Sequence, residues 1–537
     1  MRALALLFVL TVAQAANCAQ PDGSGWRREG NRIGFTVQPG RAYVEWVSAA
    51  TLRFVREWDA PPIGAEPGEG EPVEFEATDA GPTLILKSRY LTVNIGKSDL
   101  RLRIHDSGGQ LLLDQPAGLR RDRNEITLEH AAQSGEMYFG LGVSHPEVAL
   151  NLRGRSISTG RPFLISSAGY GLFVAHSERT AFDLARTDPG KVRISLSGGR
   201  LELVLHYGPT PKEVLEQHLP VERPRGGWHR DDLGLLPAAL PAYATRIAAE
   251  GAPSLRALQV AVVRLLQAAF SAQPVPVFDV SRFDAAPPEV RSMARQLAAL
   301  APLAAGRPRD EDWILERRRR LRPFLEAYFQ EAFDRGFPIV RPMAMQYPKD
   351  PEAVNCIDQF LLGDELLAAP PLSPAPLRRV YLPMGIWTDL RTNQVYTGRR
   401  YLEVETAGET PVFAKNGALI PFLRADDLIE AHYFPRLGGE FFIYEPDAGD
   451  YTQLHASPAG DLYRLEIETK VSRDYEWVVH HMLPVRAVVG AGKPLRRAPG
   501  LAALARETWF YDSASRNLYL RVHVPSGGTV VHNLHFQ

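Results

Sequence analysis

Hydrophobic and polar positions alternate with a period of two through much of the chain from Arg32 to about Tyr207. Arg41–Trp46, Thr83–Leu86, Tyr90–Ile95, Leu100–His105, Gly171–Val174 and Leu201–His206 all show the pattern. One face apolar and one face wet is the signature of half-buried strands. Turn clusters such as Asp106-Ser107-Gly108-Gly109 separate some of them, so the segment predicts a large antiparallel sandwich. After Arg225 the period lengthens. Leu255–Ala269 and Pro288–Leu300 read as helices, with Pro274–Phe278 extended between them. Leu321, Phe324, Leu325, Tyr328, Phe329 and Phe333 recur every three to four residues and predict a strongly amphipathic helix. From Gln359 onward strands return, at Val380–Leu382, Tyr401–Val404, Phe441–Tyr444 and Leu518–Val524.

The chain has 537 residues, enough for several domains. We expect residues 16–225 to form an N-terminal β-sandwich, 226–358 an α/β segment, 359–440 a proximal and 441–537 a distal C-terminal β domain. Lys and Arg total 61 against 62 Asp and Glu, a balance that argues against a nucleic-acid binder needing a basic face. The Arg317–Arg320 run lacks aromatic platforms and reads as a solvated helix face. Two cysteines exclude a disulfide scaffold. No His/Asp/Glu cluster has metal-ligand spacing and no phosphate-binding glycine loop precedes a helix, so no metal or cofactor is expected.

Residues 1–15 read as a secretory signal peptide: a positive Met1-Arg2, an apolar run from Ala3 to Val12, and the small-x-small site Ala13-Gln14-Ala15. Export to the periplasm or the exterior follows, and Cys18 as a lipid-attachment site is the competing reading of the same segment. No later run reaches the ~20 apolar residues a spanning helix needs.

Several long motifs resemble glycoside hydrolase family 31, the retaining α-glucosidases, α-xylosidases and their relatives. Tyr138-Phe139-Gly140-Leu141-Gly142 and the stretch Arg161–Val174 are similar to its N-terminal, galactose-mutarotase-like sandwich. Gly336–Pro342 and Tyr347–Pro351 are similar to the end of its barrel, and Gln359–Pro370 to the link that follows. Tyr381–Asp389, Pro411–Pro421 and Tyr444–Tyr451 resemble its C-terminal sandwiches. The resemblance implies a (β/α)₈ barrel carrying two carboxyl groups that act on an α-linked oligosaccharide or glycoside.

A retaining glycosidase needs those carboxyls about 5–5.5 Å apart, supplied by the ends of different barrel strands. A full barrel takes roughly 250 residues, or 200 at the low end, whereas about 118 positions separate Arg225 from Met343. The expected architecture is therefore a truncated barrel remnant between sandwiches. Phe278–Phe283 resembles a late-barrel segment, which makes Asp279 and Phe283 the candidate sugar-pocket residues. Counting back, Glu250 is the nearest candidate for the acid/base by spacing, although its place before a helix better suits a plain solvated carboxylate. Asp231 and Asp232 lie only 18 to 19 residues before Glu250, too close to stand for the nucleophile strand. Arg246 could echo a substrate-binding arginine; Trp228 and Trp313 could stack on sugars or pack between layers.

Three functions stay open from sequence: a degenerate, carbohydrate- or partner-binding α-glycosidase relative; an active retaining α-glycosidase with an unusual carboxylate pair; and an interaction protein without sugar affinity. A barrel stripped of early strands leaves apolar helix faces uncovered. We expect Phe324, Tyr328 and Phe329 to pack on the N-terminal sandwich, on a second copy of the chain, or on a protein partner.

Overall fold

The computed structural model describes residues 25–536 apart from 61–70, 145–147, 177, 238, 248–250, 309–310, 407 and 461. The signal-peptide reading, Cys18 and Glu250 therefore lie outside the described residues. The rest is mostly antiparallel β-sheet with few helices. An eight-stranded and two five-stranded sheets fill the N-terminal third. Their inner faces carry the alternating residues read from sequence, among them Leu91, Val93 and Ile95 of the Leu91–Gly96 strand. A separate core gathers here around the fully buried Trp46 and Phe182.

The sandwich also buries a carboxylate. Glu136 is 4% exposed and accepts hydrogen bonds from the Tyr138 hydroxyl at 2.9 Å, the Tyr170 hydroxyl at 2.8 Å and the Ser166 hydroxyl. The Gln133 amide donates as well, at 2.8 Å, so four donors replace the water that burial removed, which is the condition for keeping a polar group inside.

The helix Pro211–His218 leaves the sandwich behind Thr210, whose side chain caps it in a capping box with Glu213. Its buried His218 stacks on Phe163 at 4.2 Å and meets His206 of the Arg200–Tyr207 strand at 3.0 Å.

The middle segment holds four short parallel strands, Leu235–Leu236, Thr245–Arg246, Pro276–Asp279 and Leu303–Ala305. Helices Leu255–Phe270 and Pro288–Leu300 connect the last three, as parallel pairing demands. Ser254 starts the first of these helices by accepting a hydrogen bond from the Ala257 amide. Helices Glu311–Arg320 and Arg322–Arg335 follow.

Two expectations are corrected here. Arg318 is not on a solvated face: it is 1% exposed. Its guanidinium donates to the carbonyls of Leu233, Ala298, Ala301 and Pro302 at 2.6 to 3.0 Å, tying two distant segments together. A guanidinium presents five donors in a fixed fork, and here the fork is filled by backbone. The cover of the amphipathic helix is also different. Phe324 stacks on Phe441 at 5.5 Å and Tyr328 lies 6.0 Å from the same ring, so the C-terminal β region covers this face. Phe329 is fully buried beside Trp228, 5.5 Å away. The helix face is satisfied within the chain, not by the N-terminal sandwich or a second copy.

The C-terminal third contains three six-stranded sheets and a two-stranded ribbon. Strand Val340–Pro342 pairs with Phe360–Leu362, and Ile429–Tyr433 runs parallel to Arg473–Val479. The junction with the middle segment is charged and buried. Arg341, with no exposed surface, pairs with Glu331 and Asp364, while Lys212 reaches Asp364 at 2.8 Å. Beside it the Tyr328 hydroxyl donates to Glu365. Gly363 has φ +60°, and a Cβ there would fall 2.2 Å from the Tyr328 ring, so only glycine admits this contact.

Candidate functional site

The order of the parallel strands defines the site. Leu235–Leu236 pairs with Leu303–Ala305, which pairs with Pro276–Asp279, which pairs with Thr245–Arg246. The first strand in sequence is thus the neighbour of the last. Residues 237–244 connect the two outer strands, which stand three strand spacings apart, roughly 14 Å. Tyr243 of this connector packs on Phe333 at 5.2 Å and its hydroxyl donates to Asp232.

In sheets of this kind ligands sit beyond the carboxyl ends of the strands. Arg246 and Asp279 both end strands at that edge. The Arg246 guanidinium pairs with the Asp279 carboxylate, and the Ser281 hydroxyl donates to the other Asp279 oxygen at 2.7 Å. Asp279 is 17% and Arg246 38% exposed in their side chains, so the pair sits at the surface of a shallow edge. The neighbouring strand turns away through Gly306, φ +98°. A Cβ there would come within 2.5 Å of the Ser281 hydroxyl and 3.1 Å of the Asp279 carboxylate. Glycine is what lets three strand ends converge on one carboxylate.

A carboxylate has about four lone-pair sites. Two are engaged here, and the remainder can accept from a ligand hydroxyl. Among the described residues, Asp279 is the one carboxylate in which the four parallel strands end.

The other sequence candidates fall elsewhere. Phe283 is 1% exposed and stacks on Phe278 at 5.6 Å, so its ring belongs to the core beneath the edge and walls no cleft. Its place one turn after Asp279 was legible; its inward rotation by the short Val280–Phe283 turn of 3-10 helix was not. Asp232 closes a capping box on the Arg230–Leu233 turn by accepting from the His229 amide at 2.8 Å, while the Asp231 side chain stands exposed beside His229. Trp228 packs between Phe329 and Tyr444 and donates to Gln330 at 3.1 Å, the interlayer role. Trp313 lies under the Arg317 guanidinium at 3.6 Å. Among the described residues no group of His, Cys, Asp and Glu has the arrangement of a metal site. Among them also, no helix is long and apolar enough to cross a membrane.

Comparison with known proteins agrees with this architecture. The sequence resembles glycoside hydrolase family 31: residues 336–420 match the family's "Glycosyl hydrolase family 31 C-terminal domain". Among curated relatives, Alpha-glucosidase 2 of Bacillus thermoamyloliquefaciens is 31% identical over 199 residues, which is 33% of this chain and 25% of that protein. The match therefore spans a quarter of that relative's length. Among solved structures, the cycloalternan-forming enzyme of Listeria monocytogenes, in complex with a pentasaccharide substrate, superposes with a TM-score of 0.82. It is 14% identical, with 95% of this chain and 76% of that one covered. The Flavobacterium johnsoniae GH31 dextranase complexed with glucose gives a TM-score of 0.78 at 15% identity, covering 95% of this chain and 99% of that one.

Proposed function

We propose that this chain is an exported, carbohydrate-binding relative of the family 31 glycosidases whose barrel is reduced to four strands and whose hydrolytic activity is lost. The strand order carries the reading. A closed parallel barrel sets its first strand beside its last, and Leu235–Leu236 beside Leu303–Ala305 keeps that adjacency. What is missing lies between the first and second strands, where residues 237–244 stand in for several strand–helix units. The deletion removes the strand that would carry a nucleophile. It spares the Asp279 edge, where one carboxylate held by Arg246 suits hydrogen bonding to sugar hydroxyls.

The rival is hydrolysis by Asp279 with Glu250 as its partner. Asp279 ends a strand at the carboxyl edge of the parallel sheet, where a barrel sets its reacting carboxylates. Two assays separate the readings. Binding of α-linked oligosaccharides that weakens in Asp279→Ala, without turnover of aryl α-glucosides or α-xylosides, supports the binding role. Turnover that disappears in Glu250→Gln supports the enzyme. Absence of both turnover and binding supports an interaction protein without sugar affinity.

A further inference from the structure

A small cavity opens in the C-terminal third, where two six-stranded sheets meet. Ile386 of strand Ile386–Asp389 in one sheet lines it, with Tyr463 and Phe536 of strands Leu462–Thr469 and Gly528–Phe536 in the other. Its volume is about 130 Å³. An apolar cavity of about 150 Å³ holds a benzene molecule, so this one takes a single six-membered ring and little more. The wall is built to stay open. Phe536 meets Tyr463 edge-on at 5.8 Å and Phe434 is stacked on His480 at 4.2 Å, which holds these rings in place.

The mouth is basic. Among the described residues that line the cavity there is no Asp or Glu, and the exposed Arg436 has neither an ion pair nor a hydrogen bond. Arg516 stands close by, also exposed. Its Nε donates to the carbonyl of Met482, another lining residue, at 3.5 Å, and among the described residues no carboxylate pairs with it. Burial first, then both guanidiniums, push the neighbouring His481 imidazole below its ordinary 6.5. A guanidinium stays charged at any working pH, so the positive end does not depend on the state of that imidazole. Asn416 adds a neutral donor. Its oxygen accepts from the Ile386 amide at 3.0 Å, which leaves its amide nitrogen without a partner among the described residues.

The backbone points to the same side chain. Arg436 has φ +128°, a region that favours glycine. The Tyr433 hydroxyl donates to the Leu437 carbonyl and the Gly417 amide to the Phe434 carbonyl at 2.7 Å, so the turn is pinned on both sides of Arg436. Strain held in this way, under a side chain that the fold itself does not use, is the kind stored at ligand contacts.

We propose that this cavity binds a small aromatic carboxylate, with its ring among Phe434, Tyr463 and Phe536 and its carboxylate on the Arg436 guanidinium. The planar guanidinium fork matches a carboxylate with two parallel hydrogen bonds. A neutral ring would leave the guanidinium unpaired, and a simple anion would leave the apolar wall wet. The site shares no residue with the Asp279 edge and does not depend on the role assigned there.

The probe is benzoate, titrated calorimetrically into the full chain at low ionic strength. Saturable binding is expected, about tenfold or more tighter than that of benzyl alcohol, which keeps the ring, or of acetate, which keeps the charge. Arg436→Gln should weaken benzoate about tenfold and leave benzyl alcohol unchanged. Val395→Asp, at an exposed position of the rim, sets a carboxylate against the ligand's own and should weaken benzoate likewise. Melting temperatures of both variants should stay near that of the parent, since both side chains are exposed. No saturable benzoate binding, equal binding of acetate or benzyl alcohol, tighter binding of inorganic phosphate, or benzoate affinity indifferent to Arg436→Gln overturns the proposal.

Discussion

Arg246 and Asp279 end adjacent parallel strands, and their side chains close on each other across the carboxyl edge of the sheet. The pair joins stability to the proposed binding. Asp279→Ala removes the ion pair and the Ser281 hydrogen bond together, at a surface where each is partly wet. The expected cost is about 1–2 kcal/mol of folding stability. Affinity for α-linked oligosaccharides at this edge should drop roughly tenfold or more, since a charge-assisted hydrogen bond to ligand is lost. Thermal melting and calorimetric titration of the same variant check both. Loss of stability with full affinity at this edge would reduce Asp279 to a structural role.

Arg318 should be the least replaceable residue of the Arg317–Arg320 run. Burial lowers its guanidinium to a pKa of about 10, yet it remains charged at neutral pH and serves four carbonyls. Arg318→Lys keeps the charge but offers three donors from a single atom. A loss of about 2–4 kcal/mol is expected by denaturant melting. Arg319→Lys, whose guanidinium is partly exposed beside Glu316, should cost under about 1 kcal/mol. Equal effects at the two positions would contradict the clamp.

Acid should weaken the sandwich-to-helix joint. Burial holds His206 well below its ordinary 6.5, with His218 adding to the effect, and burial also lowers His218. Both are neutral in the fold and take up protons on unfolding, so their contribution is full above about pH 6.5 and is lost as pH falls through the lowered values. The melting temperature should decline from pH 7 toward pH 5. His206→Gln should flatten that decline, and an unchanged slope would remove these two groups as its cause.

Glu365 should act in the opposite sense. Its burial outweighs the Tyr328 hydrogen bond and raises its pKa from 4.5 to about 7. A raised folded value means stability present below about pH 4.5 and lost as pH climbs through about 7. Glu365→Gln keeps an acceptor for Tyr328 and removes the charge. At pH 8 it should be more stable than the parent by ~1–3 kcal/mol, with little difference near pH 4. Denaturant titrations at the two pH values give the comparison.

The particular elements show how far sequence reasoning reaches here. Two-residue alternation gave the strands, because each has one dry face; Leu91–Gly96 and Asn517–Val524 alternate as buried and half-exposed residues, as their sequences do. Asp279 was legible because Phe278–Phe283 resembles a late-barrel segment, and the structure sets it at the end of the Pro276–Asp279 strand. Arg318 was not, since nothing local distinguishes it from Arg317, Arg319 and Arg320. Its burial follows from two segments far apart in sequence, Leu233 and the 298–302 turn, presenting carbonyls to one point. Periodicity likewise showed that Phe324 and Tyr328 share a buried face, but a period carries no address for the cover.

The most direct test of the central claim is a turnover measurement on the purified chain with aryl α-glucosides and α-xylosides, run beside binding of α-linked oligosaccharides. A sheet that retains the first-to-last strand adjacency without the intervening strands predicts saturable binding and no hydrolysis above the uncatalysed rate. Hydrolysis that vanishes in both Glu250→Gln and Asp279→Asn would contradict it.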